Sequence, residues 1–280
     1  MAKPELSWFP ISFARQIIAD KSITTEDLLY KAKELGFKGV DLYYQFLGTQ
    51  DHASVDKVGR LARELGLEIP MYVCSPDYTN PDPEVRRQQQ TLMEMYIDSA
   101  HLLGVPMVRV TAGQNHPDTD TEQGLAWIVD RVLELGGFAS ILRIRVAVEN
   151  HYKDPFAWKM EDFTTRKEVF FSAYDEWEDN PIVVNFNCAT PTITGDDTME
   201  ILRRVKKDVA HVHAADWSKE KGSYVAAGDG DVPFDDIFSE LAKDGFSGYI
   251  AVSGGVEMSE DDVRRSKDYL QMLIDKHWAG

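Results

Sequence analysis

The sequence predicts an α/β fold, a single-domain (β/α)8 TIM barrel over residues 1–280. Three observations predict it. Strand-like segments alternate with helix-like segments eight times along 280 residues. Strands separated by helices must pair in parallel, because only a crossover connection returns the chain to the same end of a sheet. No Gly-rich phosphate fingerprint follows the first strand and no linker divides the chain, which favours a closed barrel over a doubly wound open sheet.

The elements follow in order. Residues 6–12 form the first strand. "TTEDLLYKAKELG" has a Thr cap, an acidic first turn and a closing Gly36, and so forms the first helix. The second pair is 39–45 and "SVDKVGRLARELG", ending at Gly66. The third is 68–74 and a long helix over 83–104, with Asp82 as its cap and Pro83 in the first helical position. The fourth is 107–113 and 121–135, and the fifth 143–150 and 162–177. The last three strands are 182–187, 209–216 and 248–254, followed by helices over 197–208, 232–245 and 259–277.

Composition narrows the function. The chain is 43% hydrophobic and 28% charged, with a net charge of −17. Such a charge repels phosphate backbones and anionic lipid surfaces, so neither a nucleic acid nor a membrane is the expected partner. No apolar run reaches the length of about 18 residues that a membrane span needs. The N-terminus lacks a basic region followed by an apolar core, and Cys74 and Cys188 are the only cysteines. Together these predict a cytoplasmic location without a disulfide framework. The oligomeric state is left open, a homo-oligomer included.

In a (β/α)8 barrel the chemistry sits where the strands end. Those ends offer Trp8 and Phe9; Asp41, Tyr43 and Tyr44; Tyr72, Cys74 and Asp77; Arg109, Thr111 and Gln114; Glu149 and His151; Asn185 and Asn187; His211, His213 and Asp216; and Ser253. Aromatic faces interleaved with amides, imidazoles and acids suit a small polyhydroxylated ligand, a sugar or cyclitol. Trp8, Tyr43, Tyr72, His151 and Trp217 are the expected substrate contacts, although any one ring could equally fill the interior. Glu149 is harder to explain as packing. It ends the apolar run "RIRVAVE", where a buried carboxylate costs several kcal/mol unless paired or metal-bound. His213 is placed similarly after "VAHV".

The motifs "AKELGFKGVDL", "GVPMVRVTAG", "VAVENH", "VNFNCAT", "HVHAAD" and "GDGDVPFDDIFSELAKDGFSGYIAVSGG" resemble, over nearly the whole chain, the xylose-isomerase-like barrel family. That family includes sugar epimerases, inosose dehydratases and hydroxypyruvate isomerases. The resemblance implies an isomerase or epimerase that moves protons next to a carbonyl. It also implies one divalent ion (Mn, Mg or Co) held by Glu, Asp, His and Glu on strands five to eight. Carried over, these are Glu149, Asn187, His213 and Ser253. In the epimerases both Glu side chains also move protons, so Glu149 is implied as catalytic. Lys219, after "HVHAAD", is implied as a partner of a substrate oxygen. Asn187 and Ser253 stand where carboxylates are expected. A neutral hydroxyl is a poor ligand for such ions and no base near pH 7. The expectation is therefore a weak or absent metal and impaired turnover. A catalytically inactive or engineered relative that binds a sugar-like ligand is the alternative. An abasic-site endonuclease on the same barrel is disfavoured by the charge and the few histidines. Asp216, Asp229 and Glu257 are the acids near enough in sequence to compensate.

Overall fold

The computed structural model describes residues 2–178 and 180–279. Eight parallel strands form the barrel wall: β1 (Glu5–Trp8), β2 (in two pieces, Gly39–Val40 and Leu42–Tyr43), β3 (Tyr72–Val73), β4 (Met107–Val110), β5 (Arg145–Glu149), β6 (Ile182–Asn187), β7 (Val209–Ala214) and β8 (Tyr249–Val252). Sequential strands are neighbours, and β8 returns to β1 with Ser7 opposite Ala251. The first piece of β2 pairs with β1 and the second with β3, so the sheet closes through one strand that breaks its ladder at Asp41. Helices cover the outside, and the apolar core lies between them and the strands.

Local chemistry explains the helix limits. Thr24 and Asp27 form a reciprocal capping box ahead of Thr25–Glu34, and Asp82 caps Pro83–Leu103. Gly66 and Gly104 end their helices in the left-handed conformation that glycine adopts without strain. The helix predicted to stop near residue 135 instead runs Thr121–Ile141. Gly136 is not a stop: a Cβ there would lie 2.7 Å from Ile182 Cδ1, so the glycine lets the helix approach the barrel closely. Several strands are shorter than expected. The regular ladder lasts only two residues in β3, where Met71 and Cys74 continue it by single hydrogen bonds. Among the described residues, elements without a counterpart in the sequence reading include the short helices Ala14–Ile18 and Ala189–Thr194 and an antiparallel hairpin of Asp216–Ser218 with Ser223–Val225.

Both cysteines are free and buried. No helix among the described residues is long and apolar enough to cross a membrane.

Candidate active site

Branched aliphatic side chains usually fill a barrel of this type. Here the buried polar residues Ser7, Asp41, Arg109, Glu149, Asn185, Asn187, His211 and His213 come from six of the strands. Register places β6 and β7 side by side, Asn185 opposite His211 and Asn187 opposite His213. Glu149 ends β5 opposite Asn185. Above them opens a cavity of about 370 Å3, and Glu149, Asn187, His213 and Ser253 all line it. Tyr43 and His151 line it as well.

Glu149 is enclosed by donors. Its Oε1 accepts from Asn187 Nδ2 at 2.9 Å and faces His213 Nδ1 at 3.1 Å. Its Oε2 lies 2.8 Å from Arg109 Nε, with both side chains almost fully buried. Burial alone would raise the pKa of this carboxyl, but Arg109 and then His213 outweigh it and hold the group far below the usual carboxylate range. Glu149 is therefore a fixed anion and a weak base. His213 also reaches Asp41 Oδ2 through Nε2 at 3.3 Å. With a carboxylate oxygen at each ring nitrogen, the imidazolium is favoured. Burial opposes it, yet Glu149 and Asp41 raise the pKa overall. His211 Nε2 donates to the same Asp41 oxygen at 2.7 Å, and Ser7 Oγ donates to the other oxygen at 3.2 Å.

The orientation of Asn187 is fixed on both sides. Its Oδ1 accepts from the backbone N–H groups of Ala189 and Thr190, at 3.0 and 3.3 Å. Its NH2 therefore points at Glu149. The Asn150 side chain clamps the Asn187 backbone, accepting from its N–H at 2.8 Å and donating to its carbonyl at 2.9 Å. This is why the strand can end in asparagine: one oxygen starts the next turn, and one nitrogen answers a buried carboxylate.

This donor set does not fit the divalent ion that the resemblance implies. Asn187 offers Glu149 an N–H, not an oxygen, and Ser253 brings no charge. The remaining carboxylate already holds a guanidinium. A second set, Asp41, His211 and His213, places three ligand atoms within 4.8 Å of one another. Its two His and one carboxylate are of the type that binds transition metals. Its 2.7 and 3.3 Å separations are those of hydrogen bonds, and of the three only His213 lines the cavity.

Several expected site residues lie elsewhere. Trp8 is buried, stacked on Phe37 and edge-on to Phe13, and does not border the cavity. Tyr72 points into the helix layer, where its hydroxyl donates to Gln50 Oε1 at 3.1 Å and its ring meets Tyr96. Trp217 packs edge-on to Tyr224, and it is Tyr224 that lines the cavity. Lys219 is exposed on the hairpin turn, its backbone N–H bound to Asp231. Trp217 and Lys219 are carried off by the unforeseen hairpin after β7, and Trp8 and Tyr72 share another cause. Position at a strand end gives a residue's height in the barrel, but not whether its side chain points inward or outward.

Of the three acids that could compensate, Glu257 lines the cavity. Asp229 pairs with Arg265 on the surface. The Asp216 carboxylate accepts four backbone N–H groups, from Trp217, Gly228, Gly230 and Val232, at 2.8 to 3.1 Å. It organises the loop after β7 and has nothing left for a ligand. Asp216→Ala should cost about 2 kcal/mol or more, since each buried N–H left unpaired costs about 1–3 kcal/mol. A urea midpoint within error of the parent protein would refute this.

Sequence reading gave no role to the wall formed by the β5 loop, where Tyr152, Lys153, Asp154, Pro155 and Trp158 line the cavity. Asp154 ties this loop down. Its Oδ2 accepts from Tyr43 Oη at 2.8 Å and Ser75 Oγ at 2.5 Å, and its Oδ1 from the N–H groups of Phe156 and Ala157. Trp158 meets His151 edge-on. The one sequence signal was the cluster of chemistry-bearing residues directly after Glu149.

Comparison with known proteins agrees with this architecture. An inosose dehydratase from Clostridium perfringens is 28% identical over 95 residues, which cover 28% of this chain and 32% of that one. The match thus spans about a third of that relative's length. Among solved structures, a D-psicose 3-epimerase from Clostridium cellulolyticum H10 superposes with a TM-score of 0.77 at 14% identity, covering 96% of this chain and 99% of that one. The 3-keto-D-glucoside 4-epimerase of E. coli gives 0.74 at 17% identity, covering 98% and 99%. At such identities the structures show the fold. The family model described as xylose isomerase-like TIM barrel matches residues 29–273, and with the closed barrel around one polar cavity this places the chain in the xylose isomerase-like TIM barrel family.

Proposed function

We propose that this protein binds a sugar or cyclitol in the β-strand-end cavity and belongs to the isomerase/epimerase type, which moves a proton next to a carbonyl. Its turnover by the metal-assisted route is impaired. The observation that carries the reading is one cavity joining fixed polar groups (Arg109, Glu149, Asn187 and His213) to aromatic walls (Phe9, Tyr43, Trp158 and Tyr224). Hydroxyls can take the former while C–H faces rest on the latter. Glu149 is the group that takes the proton in this reading, and its firmly held anion makes it a weak base, in keeping with impaired turnover. A ligand-binding relative without turnover is the second reading, favoured by the neutral Asn187 and Ser253.

Incubating the protein with ketoses and inososes in deuterated buffer tests both. Wash-in of deuterium next to the carbonyl supports the enzyme. Saturable binding with no exchange supports the second reading. Neither binding nor exchange for any member of either class would refute the proposal.

A further inference from the structure

We propose that Arg109 is the resident cation of this site, a guanidinium fixed against Glu149 where the resemblance would put a divalent ion, so that the cavity works without one. The inference uses the cavity of the functional reading but not the identity of its ligand.

Three observations carry it. First, Arg109 Nε lies 2.8 Å from Glu149 Oε2 with the side chains at only 3% and 1% exposure, an ion pair whose two contact atoms have no hydrogen-bond partner among the described residues and so answer each other by charge alone. Taking two charges this far from water is tolerated only when each answers the other. A divalent ion bound to Glu149 at its usual distance of about 2.0–2.2 Å would have to share that carboxylate with a guanidinium of the same sign. Second, Arg109 is not free to swing away. Its Nη1 donates to the Cys74 carbonyl at 3.0 Å and lies 3.5 Å from Ser75 Oγ, which is itself tied to Asp154. The cation is thus held from the end of β3 and from the β5 loop. Third, the remaining Glu149 oxygen already has Asn187 Nδ2 and His213 Nδ1 as neighbours. The two carboxylates missing from the implied set would have balanced a doubly charged ion. What remains of that charge is the Glu149 carboxylate, which the Arg109 guanidinium balances, while His213 lies between Glu149 and Asp41.

Arg109 lines the cavity, so the same cation can meet an electron-rich oxygen of a ligand. An arginine does this at constant charge, since it does not deprotonate in a protein. Ligand binding should then be insensitive to chelators.

The test compares five proteins: the parent, Arg109→Met, Asn187→Asp/Ser253→Glu, the same pair with Arg109→Met, and Arg109→Met/Glu149→Gln. Each is dialysed against Mn2+, desalted, and assayed for metal per chain and for melting temperature in Mn2+ and in EDTA. The parent should retain less than about 0.1 Mn2+ per chain and melt alike in both buffers, since a ligand stabilises only what it binds. The triple variant should bind Mn2+ at least about tenfold more tightly than the double variant, a difference of about 1.4 kcal/mol. One equivalent of Mn2+ on the parent, or equal affinity in the double and triple variants, would overturn the proposal. Arg109→Met/Glu149→Gln removes both charges together. It should recover most of the stability that Arg109→Met alone loses, and no recovery would also count against the proposal. If neither ketoses nor inososes bind, the reading of function fails while these metal results stand.

Discussion

Asn187→Asp should destabilise the protein by about 3–5 kcal/mol in metal-free buffer, the usual cost of an uncompensated buried charge. The side chains are nearly isosteric, so the cost is electrostatic. The amide now gives Glu149 Oε1 a donor at 2.9 Å and gives its own oxygen to Ala189 and Thr190. An aspartate can keep the second task but fails the first, since its other oxygen would face Glu149 with the same charge. Arg109 and His213 already serve Glu149 and cannot neutralise a second anion without moving. The variant should respond by protonating, so its stability deficit should shrink as pH falls through the raised pKa of the new carboxyl. The sign follows from linkage: a pKa raised by folding destabilises above it. Adding Ser253→Glu without metal should deepen the deficit, and Mn2+ should reverse part of it. Urea denaturation at two pH values, with and without Mn2+, measures all of this. A single variant as stable as the parent at pH 7 would mean that the Asn187–Glu149 contact contributes little.

The same residue shows how far the sequence could be read. The barrel was legible because eight apolar runs alternating with eight helix patterns leave few ways to bury their faces, and the caps Thr24 and Asp82 fall where expected. Glu149, Asn187, His213 and Ser253 could be placed on adjacent strands because barrel order dictates it. Their chemistry was less legible. That Asn187 presents nitrogen rather than oxygen depends on two backbone N–H groups in a turn no periodicity reveals. That Arg109 faces Glu149 depends on the register of β4 with β5, with Arg109 opposite Ala147. Asp41 looked like one more acid at a strand end, whereas it interrupts β2 and receives both imidazoles of β7. The loop carrying Asp154 and Trp158 has no repeating pattern, so sequence gave it no shape.

The aromatic residues allow the sharpest separation of packing from binding. Trp8→Ala should lower stability by about 3–5 kcal/mol, the range for emptying a large buried aromatic site, and leave ligand affinity unchanged. Trp8 is 1% exposed, on the strand that closes the barrel against β8, and its indole fills the space between Phe13 and Phe37. None of these three rings lines the cavity. Trp158→Ala should weigh more on binding than on stability, although at 6% exposure its ring also contributes packing. Its indole lines the cavity on a loop already held by Asp154 and by Gln114, whose Oε1 accepts from the N–H groups of Lys159 and Met160. The loop therefore keeps its path when the ring is removed, but the ligand loses an apolar wall. Burial against an aromatic face is a main source of affinity for small polar ligands in such cavities, so a tenfold or larger loss, about 1.4 kcal/mol or more, is expected. Calorimetric titration of a binding ketose and urea midpoints of both variants decide the matter. If Trp158→Ala unfolds the protein while Trp8→Ala weakens binding, the division between wall and core drawn from this structure is wrong.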